Sequence, residues 1–526
     1  MKRRDFVRTL SATGVALYAS DICGDLIAQS PRGQVMQSKF KGLSDIALAE
    51  AKRLGCTYAD VRFTRNVNDS VAVRDRVVTD SFGFGAGGHE ESAGFGVRVI
   101  HSGVWGFASS PFVTEAEIRK ITAQATEVAK ASAVSKRFEV TLAPVPAYQD
   151  YWSVPVQVKP EDVSLDDKIA FLMQINEAAL KIPGVVRVQS QMAFDYEWKY
   201  LATSEGSYIE QEIWRTAPGF TVSARKDGKF KSRTFSVAPK SAGYEVVTGA
   251  KMLENVERIA AEAVEHCTAP PVGVGLKDLI MTPAHAMLTI HEIVAHPTEL
   301  DRVVGYEANY AGTSFVKLGD IGKRVMGSKL FNVTADRTLP GGMCTVGYDD
   351  DGVKSQAWPL VREGQLVGLQ TNRETAHYIG EKESRGCTFA TSWRNYPFLR
   401  MPNVHVDAGP PGSPSPDEII ADTKDGIVID GRGSYSIDQQ RFNGQFGGDA
   451  FWEVKNGKKT RMVSDVTYNA ITTDFWQNLD AITGKEHWEM FGTTGDAKGQ
   501  PVQINHPSHG APWCRIRRIM VGAAYS

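Results

Sequence analysis

The run His291-Glu292-Ile293-Val294-Ala295-His296 decides how this chain is read. Two imidazoles bracket a carboxylate that follows the first directly. Imidazole nitrogen is a common Zn²⁺ ligand, and a neighbouring Glu can take a proton from a metal-activated water. The zinc-protease spacing H-E-x-x-H places both His on one helical face, but here the spacing is one residue longer. On an ideal α-helix, i and i+4 lie ~40° apart around the axis, whereas i and i+5 lie ~140° apart. An α-helix therefore cannot aim both rings at one ion. The helix must widen into a π-type turn or end. Pro297 follows at once and disfavours the α region for His296, a local reason to stop at the second ring. The bland alternative is an ordinary helix with two His. His is scarce, 11 in 526 residues, and this pattern arises by chance on the order of once in a hundred such chains.

Upstream, Asp278 to Met281 reads as a short strand, and Thr282-Pro283 as an N-cap with Pro at the first helical position. The helix from Pro283 to His296 has nearly all-apolar inner turns, Ala286-Met287-Leu288-Thr289-Ile290, so burial is expected. Polar groups at the end of a buried helix need partners, and a metal supplies them. Downstream, strand-like runs between Gly turns reach the C-terminus: Val325 to Thr334, Gln365 to Thr371, Gly426 to Ile429, Phe451 to Val454 and Arg461 to Val466. They predict a large, mostly antiparallel sheet built around the helix.

The N-terminal half alternates helix and strand. Leu43, Ile46, Ala47 and Leu54 mark an amphipathic helix closed by Gly55. Tyr58 to Phe63 and Ser70 to Thr79 read as two strands, Ser81 to Gly88 as a Gly-rich loop. Gly94 to Ser110 reads as a hairpin turning at Ser102-Gly103. Thr114 and Glu117 form a capping box opening a helix. After a Pro-rich connection, helices at Asp166 to Lys181 and Met252 to Cys267 flank strands from Val185 to Val237. The fold class expected is α+β. An N-terminal α/β region (43–270, in subregions of about 43–140 and 160–270) precedes a β-rich region (271–526) built around the metal-binding helix.

The composition is that of a globular protein, 42% hydrophobic and 23% charged. A net charge of −2 gives no electrostatic case for nucleic acid or a membrane surface. No apolar run is long enough to span a bilayer, so no membrane span is expected in the mature chain. Six scattered Cys without C-x-x-C indicate neither a disulfide framework nor a zinc ribbon. The start, Lys2-Arg3-Arg4-Asp5-Phe6-Val7-Arg8 followed by an apolar run from Thr9 to Ala19, reads as a twin-arginine signal. It predicts a signal over 1–30, cleaved near Ala28-Gln29-Ser30, a linker over 31–42, and export to the periplasm.

The segment HEIVAHPTELDRVVGYEANYAGTSF (291–315) resembles the TldD/PmbA family of zinc metallopeptidases, on its TldD-like, metal-binding side. So do TYADVRFTR and GFGVRVIHSGVWGFASS near the front, DGRGSYSIDQQRFNGQFGGDAFWEVKNGK (430–458), and the ending Gly499 to Pro512. The resemblance spans about residues 44–522. It implies a two-part α+β architecture and a homodimer or a heterodimer with a paralogous subunit. It also implies hydrolysis of short or unfolded peptides in an enclosed cavity, with His291 and His296 as Zn²⁺ ligands and Glu292 as base. The family's third ligand is a Cys in Cys-Gly-Lys-Gly-Gln-Pro. Here the matching stretch reads Asp496-Ala497-Lys498-Gly499-Gln500-Pro501, which puts Asp496 in that position. Two His and one carboxylate are a known catalytic set, and loss of a thiolate weakens selection for soft ions. Cys514, His506 and His509 remain alternatives for the third ligand.

Tyr306, Glu307, Asn309 and Tyr310 follow the metal helix and are candidates to line the peptide cavity or hold the oxyanion; the alternative is a polar loop. Asp438 and Arg441 read as a structural ion pair. Asp349-Asp350-Asp351-Gly352 begins like a calcium loop, but the remaining positions do not follow, so a solvated acidic turn is expected. The leading expectation is an exported zinc peptidase. The alternative is a non-catalytic partner or scaffold subunit, for which the substitution at position 496 speaks.

Overall fold

Two large β-sheets dominate the described residues, the first meeting a buried acidic turn at 349–351 across a polar seam, and the metal helix rises from the centre of the second. The structure is a computed structural model that describes residues 30–79 and 88–523, with Gly24, Asp25 and Ile27. The twin-arginine segment and most of the Gly-rich stretch (81–87) lie outside the described residues.

The first sheet comprises β1 (Tyr58–Arg74), β2 (Val77–Thr79), β3 (Gly88–His101), β4 (Val104–Ser110), β5 (Gln149–Ser153), β6 (Val185–Thr203), β7 (Tyr208–Lys226) and β8 (Lys229–Phe235). Its order is β4-β3-β1-β6-β7-β5, with β2 added to β1 and β8 to β7. The two strands expected at 58–63 and 70–79 are one long β1 that turns into β2 through Asp75, at φ 57. The expected hairpin is present: Ser102 and Gly103 both take positive φ, as a tight two-residue turn requires.

Period-two alternation sends the two faces of this sheet to different partners. Val61, Phe63, Val71 and Val73 of β1 point one way. They meet the helices α1 (Lys39–Arg53), α2 (Glu115–Ser132), α3 (Leu165–Leu180) and α4 (Met252–Thr268). The intervening Asp60, Arg62 and Thr64 are equally buried on the other face, as are Arg98, Glu197 and Lys199. Most of this charge is paired, either within the sheet or with the turn at 349–351. Lys199 Nζ bonds both carboxylate oxygens of Asp350 at 3.0 Å, and Arg98 bridges Asp60 and Asp351. Asp349 caps the backbone amides of Asp351, Val353 and Thr388. The expectation of a solvated acidic turn at 349–351 is therefore wrong. No local pattern marks these aspartates as buried, because their cations lie 150 and more residues away in sequence.

The second sheet runs, by residue number, 435–437, 443–447, 466–471, 514–523, β9 (Gly275–Met281), 425–430, 450–455 and 458–462, with 479–482 also on 514–523. All its pairings are antiparallel except β9 with 425–430. The architecture is mixed α+β with mostly antiparallel sheets. Within it, Val325 to Thr334 is strand only from Val333 onward. Helix α5 (Pro283–Ile290) leaves the end of central β9, capped by Thr282, whose side chain accepts from the His285 amide. Every residue of α5 is buried. His285 anchors it: Nδ1–H donates to the Gly431 carbonyl at 2.9 Å, and Nε2 accepts from the Tyr468 hydroxyl at 2.8 Å. Among the described residues, no helix is long and apolar enough to cross a membrane.

Candidate metal centre

After Ile290 the helix does widen. His291–Ala295 forms a π turn, and the His296 amide donates to the His291 carbonyl, an i+5 bond. The expectation about Pro297 fails, since His296 keeps α dihedrals (φ −59°, ψ −45°). Proline disfavours this region for its predecessor without forbidding it. Here Pro297 opens a 3-10 turn, where a missing amide costs least. Carbonyls freed at the helix end find other donors: Thr298 Oγ1 serves Val294 and Ala295, and Gln370 Nε2 serves Ala295 at 2.6 Å. The wider turn brings the two rings to a centroid separation of 4.5 Å.

Each ring has its Nδ1 occupied on the far side. The His296 Nδ1 meets Glu299 Oε2 at 2.8 Å. Arg302 Nη2 also approaches Nδ1, at 3.2 Å. A carboxylate only accepts, so the Nδ1 proton satisfies the shorter contact. His291 Nδ1 lies 2.8 Å from His509 Nε2, and His509 Nδ1 lies 2.9 Å from the Val404 carbonyl. A carbonyl only accepts, so His509 donates from Nδ1 and accepts at Nε2 from His291. Both candidate ligands thus keep their protons on Nδ1 and present bare Nε2 lone pairs to the interior. Burial, then neighbouring charges, holds the pKa of both well below the usual imidazole range, so the rings are neutral. His509 is pushed down to about 4, burial again the largest cause.

The third group is Asp496, on the short strand 496–498. Its Oδ1 lies 3.5 Å from His296 Nε2 and 3.8 Å from His291 Nε2. Its Oδ2 accepts from Arg400 Nη2 at 3.0 Å. Two ligand atoms on a tetrahedral zinc at ~2.0–2.1 Å stand about 3.3 Å apart, close to these separations. Three unprotonated donors facing one another in a buried space repel unless a cation lies between them. The donor set therefore fits a zinc ion, through His291 Nε2, His296 Nε2 and Asp496 Oδ1. Glu292 lies within 4.8 Å of both His ligand atoms, but it is engaged by Arg441 Nη1. The Asp438–Arg441 pair expected from sequence does not form. Asp438 instead caps the amides of Phe442 and Asn443, and the tight turn holds Arg441 at φ 62, aimed at Glu292. Burial raises the Glu292 pKa, and Arg441 opposes it.

Sequence reasoning missed the frame behind the donors. Glu299 accepts from His296, Arg302 and Lys498, all buried. Burial alone would raise the Glu299 pKa, but Lys498 and Arg302 hold it well below the usual value. Lys498 also pairs with Asp301 at 2.7 Å and donates to the Leu399 carbonyl. It shares a strand with Asp496, so one ammonium ties that strand to the His296 segment. Glu299 was findable as the acid three residues after His296, whereas Arg400 carries no local signal. The other sequence candidates fall as follows. His506 bonds the Thr494 carbonyl, and Cys514 Sγ bonds the Pro512 carbonyl within the core; neither belongs to the donor set. His509 holds His291 from behind. Tyr306, Glu307, Asn309 and Tyr310 lie on the loop whose end, Ala311, is gripped by Arg302 and Arg441. Asn309 Nδ2 bonds Gln500 Oε1, and Tyr306 bonds the Tyr378 hydroxyl and stacks on Phe138. Glu307 has one buried oxygen without a partner among the described residues.

The chain matches family models described as PmbA/TldA metallopeptidase domain 1 over residues 59–129, central domain over 158–266 and C-terminal domain over 275–523. It is 28% identical over 453 residues to a metalloprotease of Methanocaldococcus jannaschii, covering 85% of this chain and 94% of that protein. It is 22% identical to a protein of Saccharolobus solfataricus named a zinc metalloprotease TldD homolog, covering 90% and 98%. The solved structure of TldE from Thermococcus kodakarensis superposes with a TM-score of 0.71 over 91% of this chain and 99% of that one. At 14% identity that likeness shows the fold.

The geometry gives an ordered set of zinc affinities. Asp496→Ala loses stoichiometric zinc after dialysis, Glu299→Gln binds about 10–100-fold more weakly, and Cys514→Ser binds as the wild type does. Metal content by mass spectrometry and competition titration read all three. Full zinc in Asp496→Ala, or loss in Cys514→Ser, moves the third ligand elsewhere.

Proposed function

Because the chain belongs to the PmbA/TldA metallopeptidase family, we propose that it is a zinc peptidase acting on short or unfolded peptides, with His291, His296 and Asp496 as ligands and Glu292 as base. One observation carries the reading: two bare Nε2 lone pairs and Asp496 Oδ1 converge in a buried space, each backed by a hydrogen-bonded partner. When bound there, zinc supplies Lewis acidity, activating water and polarising a peptide carbonyl. The Glu292 carboxylate lies within 4.8 Å of the ligand atoms of both His, so it faces the same space. It takes the proton of the attacking water and returns it to the leaving amine. Burial raises its proton affinity toward that task, and Arg441 fixes its orientation. Glu299 and His509 keep the two rings in the binding tautomer throughout. Tyr306, Glu307, Asn309 and Tyr310 form a wall of the peptide cavity. The substitution at position 496 keeps a second reading in play, a non-catalytic subunit that completes another chain's cavity.

With zinc loaded, the wild type cleaves an unstructured peptide, and Glu292→Gln keeps its zinc while losing about 10²-fold or more in turnover. Equal turnover removes Glu292 from the role of base. A zinc-loaded wild type without cleavage favours the subunit reading.

Export follows from Arg3-Arg4. Changing both to Lys leaves the protein in the cytoplasm; normal periplasmic levels of that variant contradict the signal.

An enclosed cavity calls for walls from two chains, a second copy or a paralogous subunit. Light scattering of the purified chain, alone and with any co-purifying subunit, gives a dimer mass. A monomer with full activity at the same concentration contradicts this.

A further inference from the structure

A cavity of about 320 Å³ lies where the first sheet meets the N-terminal end of α5. Gln191 and Phe220 of the sheet line one side, and Ala284, Met287, Phe491 and Arg432 line the other. It adjoins the metal centre by two routes. Ala284, Met287 and His291 stand at i, i+3 and i+7, one face of the helix. Phe491 is the cross-strand partner of His509, whose ring accepts from His291.

Among the described residues, Arg432 is the only ionisable one on the cavity wall. Its neighbours in charge are all matched: Arg233 with Asp430, Asp449 and Glu262, Arg302 with Glu299, Arg400 with Asp496, Arg441 with Glu292. Arg432 has no carboxylate partner among the described residues, and its guanidinium rests 5.7 Å from the Tyr435 ring centroid. Its place is nonetheless fixed, since His285 holds the carbonyl of Gly431 and Thr282 holds Asp430.

Resting on the peptidase reading, we propose that this cavity binds a carboxylate of the peptide substrate on Arg432, making Arg432 a specificity-determining residue. A guanidinium fork matches a carboxylate in two parallel hydrogen bonds. Arg432 is exposed at the cavity mouth and forms no ion pair with a carboxylate among the described residues. An incoming carboxylate therefore meets it without displacing an existing partner, and a charge-assisted pair there favours a carboxylate over a neutral group. The carboxylate has two sources, the C-terminus of a peptide bound near its end or a Glu or Asp side chain. The first makes the enzyme act near C-termini, and the second makes it select acidic sequences.

The test uses the zinc-loaded full chain carrying Glu292→Gln, so that peptides bind without turnover. Three peptides of one sequence are titrated by calorimetry: a C-terminal acid, the C-terminal amide, and the amide with one Gln replaced by Glu. The acid or the Glu peptide binds about 10-fold or more tighter than the neutral amide, and whichever does so identifies the source. Adding Arg432→Gln brings the ratio to within about twofold of one, and Arg432→Lys restores part of it, which separates recognition from misfolding. Equal binding of all three peptides with Arg432 present, or an unchanged ratio in Arg432→Gln, overturns the proposal. The peptidase reading fails separately: a zinc-loaded wild type that cleaves none of the three while the binding preference stands contradicts that reading and leaves the carboxylate site in place.

Discussion

Everything at the centre depends on one backbone event, the π turn at His291–Ala295 inside a wholly buried helix. Five residues separate the two imidazoles, a spacing an α-helix would splay. The i+5 bond from His296 to His291 removes the splay, and the carbonyls it frees are met by Thr298 and Gln370. The turn is stable because it is buried and satisfied, so the rings meet without a mobile element. Burial has a second consequence. It keeps both rings neutral, the only state in which imidazole binds a metal.

Around the turn the molecule spends charge in a graded way. Nearest are three acceptors with no proton among them, His291 Nε2, His296 Nε2 and Asp496 Oδ1. Behind them stand Glu299, Arg400 and His509, each fixing the orientation of one donor. Behind Glu299 stand Lys498 and Arg302, which keep that carboxylate ionised where burial alone would protonate it. The same logic joins the first sheet to the acidic turn, where Lys199 and Arg98 meet Asp350 and Asp351. Buried pairs of this kind add little net stability, but breaking one partner is costly, so they fix a single arrangement.

The sequence made legible those features that are set by short-range pattern. The spacing of His291 and His296 called for a widened turn, the N-cap at Thr282 set the helix start, and Ser102-Gly103 set a hairpin. The α+β class followed from strand runs and amphipathic stripes. What stayed hidden was whatever rests on partners distant in sequence. Asp349 to Asp351 looked solvated because Arg98 and Lys199 are invisible from position 350. Arg441 looked like a partner for Asp438, three residues away, whereas the turn through positive φ aims it at Glu292. The backbone preference that Pro297 imposes on His296 yields to a buried, hydrogen-bonded turn. Asp496 is a different case. Its candidacy came from alignment to a ligand Cys, and spacing alone would not have found it.

We propose a zinc shell of two imidazoles and one carboxylate, without sulfur. Zinc K-edge X-ray absorption on the stoichiometrically loaded full chain tests it most directly. A first shell of nitrogen and oxygen only, near ~2.0–2.1 Å, is expected, with the outer-shell scattering of two imidazoles. A sulfur scatterer near ~2.3 Å, or the signature of a third imidazole, would contradict it.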